Sequence, residues 1–128
     1  MSDKYFTVEE ARKLLPQIRE AMERAIDASQ LMQGFASEIQ TLADNAVSNA
    51  GSPAGTAYLE HLLTLNSYIS AIQDAGCLVK SVEDGLVDFP HLKDGREVYL
   101  CWRYGEDDIK YWHEVEAGFA GRKPLADS

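Results

Sequence analysis

The chain has 128 residues, 45% of them apolar and 26% charged, which suits one ordinary domain with a core and excludes a disordered tail. Its formal net charge is −9, and the acidic excess is spread out: residues 1–48 carry 5 basic and 8 acidic side chains, residues 49–76 carry 0 and 2, and residues 77–128 carry 7 and 11. No segment is basic, so neither nucleic acid nor an anionic membrane is an expected partner.

Residues 1–8 lack a basic stretch followed by an apolar one, and no run of about 18 apolar residues occurs, so neither export nor a membrane span is expected. The first element opens at Thr7-Val8-Glu9-Glu10, a capping box in which hydroxyl and carboxylate each satisfy a backbone N–H of the first turn. Phe6 and Ala11 add a weak staple. An apolar stripe follows through Ala11, Leu15, Ile18, Met22, Ala25, Met32, Ile39 and Ala46, at steps of three, four or seven. Pro16 is expected to kink this helix or delay its start, and Gly34 is its weak point.

Residues 48–55 read as a loop. A second helix is expected from Thr56 to Ala75, its stripe formed by Tyr58, Leu62, Leu65, Ile69 and Ile72, with Gly76 as its left-handed stop. The two helices form a hairpin over residues 7–76, and they are unequal in length. The unmatched half of the first apolar stripe requires a break at Gly34, a sheet beneath it, or a second copy of the chain.

From Cys77 the period changes to that of a small antiparallel sheet, a β-meander over residues 77–117 with a tail from 118 to 128. Residues 77–80, 85–89, 97–104 and 109–116 read as strands, and Pro90 to Gly95 as a loop. The fold class is therefore α+β in a single domain. Cys77 and Cys101 lie outside any C-x-x-C pair and are expected to be reduced and buried, with a mutual disulfide as the alternative.

A four-residue loop at 105–108 would set Tyr104 opposite Ile109, Trp102 opposite Tyr111 and Leu100 opposite His113. His113 then shares an apolar face with Leu100, Trp102 and Tyr111, while Tyr99, Cys101, Arg103 and Trp112 share the other. An imidazole on an apolar face must find a partner. One reading is a core histidine bonded to a carbonyl, a Tyr or an Asp. The other is a functional acid–base group or ligand. The candidate ligand-binding set is His113, Asp88, Arg96 and Arg122, at the junction of sheet and helices.

The competing structural readings are specific. Asp88 and Arg96 form an ion pair that pins the Pro90–Gly95 loop. Gly118 to Arg122 is either an anion cradle or a turn whose Phe119 plugs the core. His113-Glu114-Val115-Glu116 lacks the second histidine of a zinc-protease helix, so no metal ligands are assigned and no cofactor is expected. A metal site would need other segments, such as Asp88 or Asp94. Cys101 has no base beside it on its face, and His61 and His91 read as solvated surface.

Several stretches are distinctive: Tyr5 to Ala11, Gly85 to Pro90, Gly95 to Arg103, Tyr111 to Glu114, and Gly118 to Arg122. Through them nearly the whole chain resembles the uncharacterised bacterial family named domain of unknown function 2203. The resemblance implies a bacterial, cytoplasmic setting and brings no activity, substrate or catalytic residue. Two functions remain open. The first is a small self-associating interaction or regulatory module, a homo-oligomer through its long helices. The second is a small-ligand or metal-binding protein, with an enzymatic version open, built around His113.

Overall fold

The computed structural model describes residues 4–44 and 53–125, with side chains for 4–35 and 55–125. Two helices come first, α1 (Val8–Asp44) and α2 (Pro53–Asp74). Five strands follow: β1 (Leu78–Ser81), β2 (Leu86–Lys93), β3 (Arg96–Arg103), β4 (Tyr111–Glu114) and β5 (Lys123–Pro124). They form one antiparallel sheet in the order β1-β2-β3-β4-β5. A 3₁₀ turn, Phe119–Gly121, bridges β4 and β5. The fold class is α+β, as the sequence predicts.

The capping box forms. Glu10 N–H donates to Thr7 Oγ1 at 3.0 Å, and Thr7 N–H donates to Glu10 Oε1 at 2.8 Å. Helix α1 runs through both Pro16 and Gly34, so of the three resolutions of the unequal hairpin the break at Gly34 is not the one adopted. A Cβ placed at Gly34 would meet nothing within 4 Å, so that glycine serves no close contact. Helix α2 starts three residues before the expected position, with Pro53 at its first helical position, where a missing N–H costs nothing. Most of the loop expected at 48–55, and the Ile39 and Ala46 side chains, lie outside the described residues.

The overhang of α1 has an intrachain partner. Ala11, Leu15, Ile18, Met22 and Ala25 join Val87, Phe89, Val98, Leu100, Trp102 and Trp112 in one core, together with Ile72 of α2. Further along, Phe35 of α1 stacks on His61 of α2, with ring centroids 5.9 Å apart. The first part of α1 therefore lies on the sheet and its later part lies on α2. His61, expected in solvent, is half-buried by that stacking.

The sheet differs from the expected meander in four places. Residues 90–93 are strand rather than loop, and β2 turns into β3 at Asp94-Gly95, both with positive φ (54° and 77°). A two-residue Asp-Gly turn of that kind matches the twist of a hairpin. Pro90 is tolerated inside β2 because its N and C=O point away from β3. The C=O accepts the Phe6 N–H at 2.7 Å. Next, β4 is short, four residues rather than eight. Lys123–Pro124, expected in a frayed tail, pairs with β4, and the Leu125 N–H donates to the Lys110 carbonyl at 2.8 Å.

The fourth difference decides the site. Tyr99 stands opposite His113, Leu100 opposite Trp112 and Cys101 opposite Tyr111. This is one residue off the expected register, and a one-residue slip moves every side chain of β4 to the other face. Trp112, not His113, faces the helices. The cause lies in residues 104–110, which span a longer connection than the four-residue loop assumed. Trp102 Nε1–H donates to the Glu106 carbonyl at 3.0 Å, and the Glu106 carboxylate accepts the Arg103 N–H at 2.8 Å, winding the chain back before β4 begins.

Candidate functional site on the outer face of the sheet

The face of the sheet turned away from the helices carries Asp88 from β2, Tyr99 and Cys101 from β3, and His113 from β4. Register places Asp88 opposite Cys101 and Tyr99 opposite His113. These groups are not solvated: Asp88 and His113 are each 2% exposed and Cys101 is 1% exposed. The site therefore lies on the outer face rather than at the expected sheet–helix junction.

His113 Nε2 is 3.1 Å from each oxygen of the Asp88 carboxylate. Its Nδ1 is 2.7 Å from the Glu114 carbonyl oxygen, which can only accept, so Nδ1 carries a hydrogen. Nε2 and the carboxylate then hold one proton between them. Without it, two lone-pair acceptors would oppose each other in a buried space. Burial pushes the Asp88 carboxyl up, and the charges of His113 and then Lys80 pull it back. Lys80 Nζ stands 4.0 Å from Asp88 Oδ2 and 4.8 Å from the centre of the Tyr99 ring.

Cys101 completes the cluster. One donor atom from each of Asp88, Cys101 and His113 lies within 4.8 Å of the others. Burial pushes the Cys101 thiol up to about 12, and the neighbouring Asp88 charge adds to the rise. A thiol held protonated in this way is a poor nucleophile at neutral pH. The order of contacts also differs from that of a catalytic triad, because the imidazole lies against the carboxylate on one side and a carbonyl on the other.

The cluster forms a wall of a pocket of about 130 Å³, bordered by Lys80, Leu86, Val115, Gly118 and Phe119. Phe119 is 39% exposed at this rim and does not plug the core as the sequence reading supposed. Gly118, with φ of 68°, lets the chain turn from β4 into the 3₁₀ segment.

Of the four candidate site residues, the structure brings together His113 and Asp88. Arg96 lies elsewhere, gripping Glu114 through Nη2 (2.7 Å) and Nε (3.1 Å), so the expected Asp88–Arg96 pair does not exist. Arg122 is half-buried between the rings of Tyr111 (4.0 Å) and Phe119 (4.5 Å), and both Glu106 oxygens accept from its Nη2 at 2.6 and 2.8 Å. It lies close enough to Cys101 to offset part of that thiol's rise, yet its charge is committed to Glu106. His91, expected in solvent, is half-buried and donates from Nδ1 to the Phe6 carbonyl at 2.6 Å. Cys77 and Cys101 are both free thiols.

Sequence reasoning missed Cys101 and Lys80. The signal was Asp94-Gly95. Had it been taken as a two-residue hairpin turn, Lys93 would pair with Arg96 and Asp88 with Cys101 by counting alone.

Among the described residues, no helix is long and apolar enough to cross a membrane. No curated protein and no solved structure matches the chain. The family described as Uncharacterized conserved protein (DUF2203) matches over residues 4–125, nearly the whole length, and the chain belongs to that family.

Proposed function

We propose that the protein binds a small ligand at the outer-face pocket around His113. One observation carries this reading: a buried carboxylate–imidazole pair forms the wall of a pocket instead of being sealed inside a core. A buried ion pair is weak as a stabilising device, because desolvation consumes most of its attraction. Titratable groups gathered in a concave site are the ordinary mark of binding or chemistry. The pocket holds the volume of about four waters, so the ligand buries only a few atoms there. A bacterial, cytoplasmic setting belongs to this proposal and is supported by the family resemblance.

The test is ¹H–¹⁵N NMR of the full chain, including the ring nitrogens of His113, titrated with small anions, metal ions and carboxylic acids. Shifts that saturate and cluster on Asp88, Cys101, His113 and Phe119 are expected. A panel that leaves those resonances unmoved would overturn the reading.

A second reading, self-association through the helices, has narrower support. Leu59 and Leu63, one turn apart on α2, are 54% and 62% exposed. The unpaired stripe that first suggested it lies on the sheet instead. Light scattering at roughly tens of micromolar decides it: a monomer ends this reading, and a dimer abolished by Leu59→Glu with Leu63→Glu supports it.

A further inference from the structure

We infer that Asp88, Cys101 and His113 form a site for one divalent transition-metal ion of the zinc type, with a fourth coordination position open to the pocket. This deepens the ligand-binding reading and rests on it.

Geometry comes first. Three adjacent strands each contribute one donor to one spot, with the donor atoms within 4.8 Å of one another. Ordinary zinc bond lengths in a tetrahedral arrangement separate donor atoms by about 3.3–3.6 Å. The 3.1 Å between His113 Nε2 and the Asp88 oxygens is already close to that spacing. No pair of donors is more than 4.8 Å apart, so small side-chain adjustments bring all three to that spacing.

The imidazole is presented as a ligand would be. A metal-bound histidine uses one nitrogen for the ion and donates its other N–H to a carbonyl or carboxylate, which fixes tautomer and ring plane. His113 donates from Nδ1 to the Glu114 carbonyl and directs Nε2 into the cluster. Glu114 is itself held from its side chain by Arg96.

Charge also balances. An aspartate, a thiolate and a neutral imidazole neutralise a divalent ion, leaving no net charge in a buried space. The ion takes the position of the proton now shared by Asp88 and His113, and it displaces the Cys101 thiol proton. About two protons therefore leave per ion bound. The donor set selects the class. Mixed sulfur, nitrogen and oxygen donors suit zinc-type ions, whereas calcium and magnesium require a shell of oxygens.

Three protein ligands with a pocket at the remaining position are the pattern of sites that keep an exchangeable water. Lys80 opposes a cation there by repulsion, and Arg122 adds less because Glu106 holds its charge.

The experiment uses the full chain, stripped with a chelator and titrated with Co²⁺, then with Zn²⁺ in competition. About one equivalent of Co²⁺ should bind, with an intense near-ultraviolet thiolate-to-metal band. Cys101→Ser should abolish the band, and Cys77→Ala should keep it. Asp88→Asn and His113→Asn should each weaken affinity by more than about 100-fold, beyond the loss expected for an outer-shell residue. Lys80→Met, at the rim, should tighten binding, and it keeps the test available if a ligand variant fails to fold. Folded wild-type protein that takes up neither ion, or a thiolate band that persists in Cys101→Ser, overturns the inference. If the ions fail while another small molecule shifts the His113 resonances, the metal inference falls and the ligand-binding reading stands. If nothing shifts them, both fall.

Discussion

The imidazole of His113 lies 3.1 Å from both carboxylate oxygens of Asp88, and its opposite nitrogen is tied to the Glu114 carbonyl. Each partner is buried only because the other is present. Removing one leaves an unpaired polar group at a buried position, which costs about 3–5 kcal/mol. Asp88→Ala should lower stability by that amount in urea denaturation. Asp88→Asn should lose clearly less, since its amide can still bond to Nε2. Equal losses for the two variants would show that the space, not the pairing, holds this region together.

The capping box makes a prediction about pH. The Thr7 N–H holds the Glu10 carboxyl below its usual range. A carboxyl depressed in the folded state adds stability above the ordinary glutamate pKa, and that stability is lost as pH falls through the depressed value. Thermal melts from neutral pH into the acid range should therefore converge for wild type and Glu10→Gln at the acid end and diverge above it. Curves separated by a constant amount at every pH would refute the assignment.

Two glycines should respond in opposite directions. Gly85 has φ of 70°, and an added Cβ would stand 2.6 Å from the Tyr104 Cβ. Gly85→Ala combines left-handed strain with overpacking and should cost about 2–4 kcal/mol. Gly34 lies inside α1 with open space around it, so Gly34→Ala should stabilise by about 0.5–1 kcal/mol. Chemical denaturation of both variants checks the pair.

Thiol chemistry offers a fourth check. Burial pushes both Cys77 and Cys101 up to about 12. Native protein near pH 8 should resist iodoacetamide at both positions, and denaturant should expose both. Mass spectrometry of the labelled peptides reads this out directly. Fast labelling of Cys101 in native protein would contradict the burial that holds this thiol protonated.

Much of the fold was legible from local chemistry. Thr7 and Glu10 marked the start of α1, the stripe from Ala11 to Ala25 marked its buried side, and the change of period at Cys77 marked the sheet. The site was less legible because it depends on register. His113 and Asp88 are legible from the sequence, but the one-residue shift at β4 brings His113 to the face of Cys101, where the expected register sets them on opposite faces, and the strand at residues 90–93 removes the loop that paired Arg96 with Asp88. Alternation predicts a polar outer face for a sheet packed on helices. Here that face is also buried, in part by the chain between β4 and β5, and no local pattern announces such a cover.

Residues 5 and 6 have a role that their position before α1 hides. The Phe6 N–H bonds to the Pro90 carbonyl, the Phe6 carbonyl accepts from His91, and the Tyr5 hydroxyl donates to Glu97 at 2.8 Å. They occupy the flank of β2 where β1 no longer reaches. In effect these two residues close a seam along β2 that β1 leaves open. A copy trimmed to the first residue of α1 would keep its helices and lose that closure. Its β2 would then offer free backbone groups to any other chain with a strand to add.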